Sequence, residues 1–343
     1  MSTRRDFIKQ VSMVAGLGVA ASLGLGFNPA RAQAATDGSW HMPDEGDPQA
    51  RAFVAFAAQE AIWEDSTADV QDAIGLIART IAQYQPVTVF CREDERDLAE
   101  EKCGSHNITF VITELDDIWM RDTGANFVID GEGGLAGVGF NFNGWGDKQR
   151  HADDTKVAAL VASLAADEDE DDSGSSAGFI RSELVGEGGG IEVDGRGTGI
   201  MTESSWINAN RNPDWSKAEV ETELKKRLGL RKIIWLPGIK GKDITDAHVD
   251  FYARFVKPGV VIANLDNDPE SYDYAVTRKH LEILRDATDA DGHELQVHTL
   301  SPPLKPRQSP FNAENPDFAA GYINYFVING AVIAPEFGDQ VAD

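Results

Sequence analysis

Asp246, His248 and Asp250 place two carboxylates and an imidazole at every second position of Asp246-Ala247-His248-Val249-Asp250. On an extended segment that spacing sets all three on one face. Such a trio suits two chemistries. It could bind a metal ion through oxygen and nitrogen ligands, or its carboxylates could accept the N–H groups of a planar cation while the imidazole moves protons. A solvated polar strand end would carry the same residues. The other histidines, His41, His106, His151, His280, His293 and His298, offer no second ligand pair at useful spacing, which weakens the metal reading.

Three more polar turns carry comparable residues. In Asp117-Ile118-Trp119-Met120-Arg121-Asp122 the indole could wall a cation and the carboxylate pair with a guanidinium, although an Asp–Arg ion pair bracing a strand end fits equally. Glu187 precedes Gly188-Gly189-Gly190, where the missing side chains would let something approach the backbone, or simply make a turn. Asn324, in Tyr322-Ile323-Asn324-Tyr325, could hold a substrate or satisfy a neighbouring strand.

These turns must be positioned by repeated elements. Val70, Ile74, Ile77 and Ile81 fall at helical spacing within Thr67 to Tyr84, and the β-branched run Val87 to Phe90 follows Pro86. Helix then strand recurs four times: Glu93 to Cys103 before Ile108 to Ile112, Asp153 to Ala165 before Phe179 to Val185, Ser216 to Leu228 before Ile233 to Leu236, and Tyr274 to Ala287 before Leu295 to Leu300. The fourth helix opens on a capping box, Ser216 with Glu219, and ends at Gly229. Each of the last four strands leads to a polar turn and two more extended segments. From Asp122 to Glu187 to Asp250 to Asn324 the intervals are 65, 63 and 74 residues. Units of that size arranged about an axis could each aim one polar turn at a shared centre; generic α/β units in an open sheet would give a similar pattern.

Two motifs are decoys. Gly174-Ser175-Ser176-Ala177-Gly178 fits G-x-S-x-G, but the acidic run Asp167 to Asp172 precedes it where a nucleophile elbow needs a strand. Gly186 to Gly190 leads into a strand, so its amides form no phosphate cradle at a helix start.

Composition narrows the function classes. The chain has 343 residues, 42% hydrophobic, with a formal charge of −26 that disfavours nucleic acid as a partner and favours small cations. Two cysteines, Cys91 and Cys103, exclude a disulfide scaffold or a four-thiolate metal site, and leave one bridge or two free thiols open. At the start, Thr3-Arg4-Arg5-Asp6-Phe7-Ile8-Lys9 precedes an apolar run from Val11 to Gly26, and Ala32-Gln33-Ala34 follows it. This reads as a twin-arginine export signal over residues 1–34, with a single working domain from 35 to 343 in a periplasmic or other extracytoplasmic setting. The apolar run is short for a membrane anchor.

Several segments together carry a resemblance: Trp119-Met120-Arg121-Asp122-Thr123-Gly124, Phe142-Asn143-Gly144-Trp145-Gly146, Glu187-Gly188-Gly189-Gly190-Ile191-Glu192-Val193-Asp194-Gly195, Asn208-Ala209-Asn210-Arg211-Asn212-Pro213 and His248-Val249-Asp250. In this order, over about Met42 to Asp339, they resemble the agmatine deiminase family, which is related to bacterial peptidylarginine deiminases in the guanidine-modifying superfamily. The resemblance implies an α/β fold, the pentein-type pseudo-fivefold α/β propeller with its site on the axis. It implies hydrolysis of agmatine to N-carbamoylputrescine and ammonia, or the matching reaction on arginine or peptidyl-arginine, through a cysteine thiouronium intermediate. Asp122 and Asp250 match the carboxylates that grip the guanidinium and His248 the general acid/base. Trp119, Glu187 and Asn324 match substrate-binding positions. No metal or cofactor is implied, and the expected partner is a small cationic guanidine.

One departure accompanies the match. The family's nucleophile lies in a C-terminal Gly-Asn-Ile-His-Cys-type segment, whereas this sequence reaches Asp343 just after Pro335-Glu336-Phe337-Gly338-Asp339. The expectation is an incomplete last blade and no nucleophile within the chain, since neither Cys91 nor Cys103 occupies the matching place. A non-catalytic guanidinium-binding protein is therefore the first alternative, and a metal hydrolase using Asp246, His248 and Asp250 the second.

Overall fold

The computed structural model describes residues 40–131, 133–166, 178–307 and 320–339. The export signal, the acidic run 167–172 and most of the G-x-S-x-G decoy lie outside the described residues. The chain divides into two compact units: Gly46–Met120 with the described part of 302–339, and residues 40–45 with Arg121–Ser301. Among the described residues no helix is long and apolar enough to cross a membrane.

In the first unit, strands β1 (Ala52–Phe56), β2 (Val87–Cys91) and β3 (Ile108–Ile112) form a parallel sheet in the order β1-β2-β3, with Val54 opposite Val89 and Val89 opposite Phe110. Central β2 is buried along its whole length, as a parallel strand without a solvent face should be. The helix Thr67–Ile81 buries Ala78 and Ile81 against this sheet, and the second expected helix starts as a 3-10 turn, Glu93–Glu95, before Arg96–Cys103. Hairpin β13 (Phe326–Ile328) and β14 (Ala331–Ile333) adds Ile328, Ala331 and Ile333 to the same apolar cluster.

Amide side chains tie that late hairpin to the start of the unit. Gln49 N–H donates to Asn329 Oδ1 at 3.0 Å, Asn329 Nδ2 donates to Gln49 O at 2.7 Å, and Asn329 N–H donates to Gln85 Oε1 at 2.8 Å. Gln85 Nε2 closes the network on Gln49 Oε1 at 2.9 Å. Asn329 thus serves as donor and acceptor to a backbone 280 residues away.

The second unit repeats one pattern three times: hairpin, helix, then a strand parallel to the hairpin's second member. The first repeat is β4 (Asn126–Ile129), β5 (Leu135–Gly139), helix Val157–Ala166 and β6 (Gly178–Arg181). The second is β7 (Glu192–Val193), β8 (Thr198–Thr202), helix Lys217–Leu228 and β9 (Lys232–Leu236). The third is β10 (Ala253–Lys257), β11 (Val260–Asn264), helix Tyr274–Asp286 and β12 (Gln296–Leu300). Each hairpin follows one of the polar turns, so the turns occupy equivalent places in successive repeats.

Local chemistry fixes the ends of these elements. Ser216 Oγ accepts from Glu219 N–H while Glu219 Oε2 accepts from Ser216 N–H at 2.8 Å, and Gly229 closes the helix at φ 66°. Val220, Leu224 and Leu228 form its buried stripe. The strand expected over Phe179 to Val185 stops at Arg181. Asn141 Nδ2 takes the carbonyls of Ser182 and Leu184 at 2.7 and 2.9 Å, which ends the ladder and turns the chain toward Glu187.

Replacing Asn329 by Ala removes its bonds to the half-buried Gln49 amide and carbonyl and to Gln85. The expected cost is about 2 kcal/mol of stability, read as a lower urea midpoint at unchanged slope. A variant that unfolds at the wild-type midpoint would show that the network contributes nothing to closing the unit.

Candidate active site

The second unit brings Asp122, Glu187, His248 and Asp250 together from three separate segments, His248 and Asp250 sharing one. Asp122 lies in the one-turn helix Met120–Thr123 ahead of β4. Its Oδ1 accepts from Gly189 N–H at 2.9 Å and its Oδ2 from Trp145 Nε1–H at 2.8 Å. The indole reaches that place because Gly144, Trp145, Gly146 and Asp147 all have φ between 57° and 87°, a left-handed turn that L side chains resist. A methyl group on Gly144 would sit 2.3 Å from Gln149 O, and one on Gly146 2.5 Å from Asn210 Nδ2. The Gly144-Trp145-Gly146 motif is thus a backbone requirement, with Phe142 edge-on to the indole at 5.0 Å.

Gly188–Gly190 form a 3-10 turn before β7, and Gly189 marks the centre of the site. A Cβ there would stand 2.6 Å from His248 Nδ1 and 2.8 Å from both Asp122 Oδ1 and Asp250 Oδ2. Two carboxylate oxygens and a ring nitrogen therefore face one small space that only glycine leaves open. Asp250 Oδ1 is buried and has no hydrogen-bond partner among the described residues. An unpaired buried carboxylate oxygen is costly and marks a place for a donor from outside the chain.

His248 is 1% exposed, with Nε2 3.1 Å from Glu187 Oε2 and Nδ1 3.7 Å from Asp122 Oδ1. Burial opposes its charge, but Asp122, Glu187 and Asp250 outweigh burial and push its pKa up to about 9. Burial raises Asp250 to about 6, His248 pulling it down and Asp122 pushing it up. Glu187 goes the other way: burial favours the neutral acid, yet His248 and Arg211 hold its carboxyl below the usual range. Arg211 Nε donates to both Glu187 oxygens, at 2.8 and 2.9 Å.

Asp246 does not share a face with His248 and Asp250. The segment is not extended: Asp246 and Ala247 sit at φ 61° and 67°, and Val249–Phe251 is a 3-10 turn. Asp246 Oδ2 instead accepts from Lys148 Nζ, Asn210 Nδ2 and Arg211 Nη1 at 2.8, 3.0 and 2.8 Å, and Oδ1 from Gly241 N–H. Burial would raise its carboxyl, but these donors hold it at about 2. The trio envisaged for a metal is therefore split, with Asp246 committed to cations of the chain. Among the described residues no group of three His, Cys, Asp or Glu side chains is arranged to hold a metal ion.

The remaining candidates belong to the first unit. Trp119 is 40% exposed, its Nε1 donating to Asp117 Oδ2 at 2.8 Å and its ring centroid 6.0 Å from that of Trp63. Asn324 is half-buried in the turn before β13, its N–H donating to Gly321 O. Cys91 and Cys103 are free thiols in that unit's core, each raised to about 11, with burial the largest cause. A thiol so placed is not a ready nucleophile. The segments containing Trp145 and Arg211 carry the resemblance, but the sequence alone assigns neither residue a role, whereas the glycines after Glu187 read as a close approach or a turn. The signals were there: glycines on both sides of a tryptophan, and an arginine enclosed by asparagines.

Asp250 gives the site a thermodynamic signature. Its carboxyl ionises about two pH units later in the folded chain than in the unfolded one, so it favours folding at low pH, and that advantage disappears as pH rises through about 6. Asp250→Asn removes the buried charge. It should raise stability at pH 8 by an amount on the order of 2 kcal/mol and change it little at pH 4, as followed by calorimetry. A variant less stable than wild type at pH 8 would mean that the ionised carboxylate is already well paired in the free protein.

Three comparisons place this arrangement among known proteins. The sequence pattern described as Porphyromonas-type peptidyl-arginine deiminase matches residues 41–343. The agmatine deiminase of Stutzerimonas stutzeri is 34% identical over 325 residues, covering 88% of this chain and 84% of the relative. Among solved structures, the agmatine deiminase of Enterococcus faecalis superimposes with a TM-score of 0.79 at 28% identity, covering 94% of this chain and 88% of that one. A Cys-to-Ser variant of the C. jejuni agmatine deiminase with substrate bound gives 0.73 at 25% identity, covering 88% and 84%. These likenesses assign the α/β pentein fold. With that fold and a match over nearly its whole described length, the chain belongs to the Porphyromonas-type peptidyl-arginine deiminase family, an enzyme family of hydrolase-type deiminases.

Proposed function

We propose that this chain acts on a small guanidinium cation, with agmatine as the leading substrate and arginine or peptidyl-arginine as the others of its class. The observation that carries the reading is the convergence of Asp122 Oδ1, Asp250 Oδ2 and His248 Nδ1 on the space beside Gly189, with Asp250 Oδ1 left unpaired. A guanidinium is flat, presents paired N–H donors and cannot give up its charge at neutral pH, so two buried carboxylates suit it well. Its entry would neutralise the like-charge strain between Asp122 and Asp250.

In this reading the two carboxylates hold the substrate protonated and electrophilic at its central carbon. A thiolate attacks that carbon, and His248 gives a proton from Nδ1 to the departing nitrogen, which leaves as ammonia. The imidazole then takes a proton from water as water displaces the sulfur and forms the ureido product. Glu187 holds the other ring nitrogen. Neither Cys91 nor Cys103, both buried with raised pKa values, is suited to the attack. Trp119 and Asn324 are proposed as substrate contacts on the resemblance. The finer architecture we infer is a pseudo-fivefold propeller, a reading supported by the three equivalent repeats of the second unit. Export by the twin-arginine route is inferred from residues 1–34 alone.

The buried thiols favour a second reading, a guanidinium-binding protein without turnover. Calorimetric titration with agmatine and an ammonia assay on the same sample separate the two. Binding is expected to tighten as pH rises from 5 to 7 and Asp250 ionises near 6. Asp122→Asn or Asp250→Asn should weaken it by a factor on the order of 100. Binding with no ammonia favours the second reading, and agmatine affinity that ignores both substitutions removes the guanidinium site altogether.

A further inference from the structure

Arg211 of the second unit has a wholly buried side chain. Nε spans both oxygens of Glu187; Nη1 reaches Asp246 Oδ2 at 2.8 Å and Asn210 Oδ1 at 3.1 Å; Nη2 donates to Thr245 O at 3.0 Å. Thr245 in turn accepts the backbone N–H of His248 on its Oγ1 at 3.0 Å. One guanidinium therefore grips the carboxylate bonded to the His248 ring and the residue that holds the His248 backbone.

We propose that Arg211 is the positioning residue that fixes the tautomer and orientation of His248, through Glu187 on the ring and Thr245 on the main chain; this rests on the reading of His248 as the proton-transfer group. An ionised Glu187 only accepts, so the Nε2 facing it must carry hydrogen, and Nδ1 is left as the atom that gains and loses a proton beside Gly189. Glu187 stays ionised in a dry setting because the His248 ring and Arg211, which touches both of its oxygens, offset its burial. The turn before His248 needs the same support, since Asp246 and Ala247 hold left-handed conformations that cost energy in L residues. Arg211 fastens that turn at Thr245 O and Asp246 Oδ2. Asp246, whose Oδ2 also takes Lys148 and Asn210 and whose Oδ1 takes Gly241 N–H, keeps the guanidinium from swinging away. Arg211 touches no open space beside Gly189, so it acts only through these neighbours.

The test is 15N NMR of the histidine ring in the full chain through its titration. In the wild type Nε2 should remain protonated and Nδ1 alone should titrate; a neutral ring protonated on Nδ1 overturns the proposal without any variant. In Arg211→Met, Glu187 loses its counter-charge and can hold the shared proton itself, so Nε2–H is no longer enforced and the neutral ring should populate both tautomers. Where that substitution prevents folding, Arg211→Lys keeps the charge. Its ammonium cannot hold Glu187, Asp246 and Thr245 O at once, so proton affinity should stay high while the single tautomer is lost. A folded variant of either kind with the wild-type curve and tautomer overturns the proposal. Because no substrate enters the measurement, a wild type that fails to bind agmatine would sink the guanidinium reading and leave this result intact.

Discussion

Two carboxylates of like charge, both buried, face one glycine-sized space, and nothing else in the second unit makes sense without that arrangement. Asp122 and Asp250 repel, and water cannot screen them. The chain offsets the repulsion only in part, by the indole and amide donors on Asp122 and by the charged imidazole between them. Asp250 receives the least, which is why its carboxyl rises to about 6 and one oxygen stays bare. The free protein thus stores an unfavourable interaction that a planar cation would relieve.

Backbone strain serves the same end. Left-handed residues cluster at two places, Gly144 to Asp147 and Asp246-Ala247, and both lie beside the site. The first turns Trp145 onto Asp122; the second turns Asp246 away from His248 and toward Arg211. Both are braced by side chains: Asn143 Oδ1 accepts from Gly146 N–H, and Asp243 accepts from the amides of Thr245 and Ala247. Strain held by specific hydrogen bonds delivers a side chain to within a few tenths of an ångström where a regular strand would point it elsewhere.

This explains which parts were readable from residues alone. Apolar periodicity marked the helix Thr67–Ile81, and runs of β-branched and apolar residues marked strands β2 and β3. The polar turns stood out by their recurrence after each strand, and Asp122, Glu187, His248 and Asp250 were legible as charged residues at equivalent places. Period-2 reasoning failed at Asp246 because it presumes extended backbone, and nothing in the residue types announces two consecutive left-handed L residues. The strand after Phe179 ended early because a single asparagine, Asn141, replaced its ladder partners, a contact made across 41 to 43 residues that local pattern does not encode.

Cations are scarce in a chain with 31 Lys and Arg against 57 Asp and Glu, so where they are buried is informative. The second unit spends them in two alternating series. One runs Glu187, Arg211, Asp246, Lys148 and stands behind the imidazole. The other runs Glu192, Arg254, Glu45, Arg121; Glu192 accepts from Arg254 Nε at 2.8 Å, and Arg254 and Arg121 both bind Glu45. Both of its arginines also lower the Asp250 carboxyl, against the larger effect of burial. Each series reaches a partly exposed cation, Lys148 or Arg121. Buried ion pairs seldom repay their desolvation as stability. Their value here is geometric, because alternating charges cannot slide past one another without bringing like signs together. The first series therefore holds the His248 ring through Glu187, and the second acts on Asp250 through its charge.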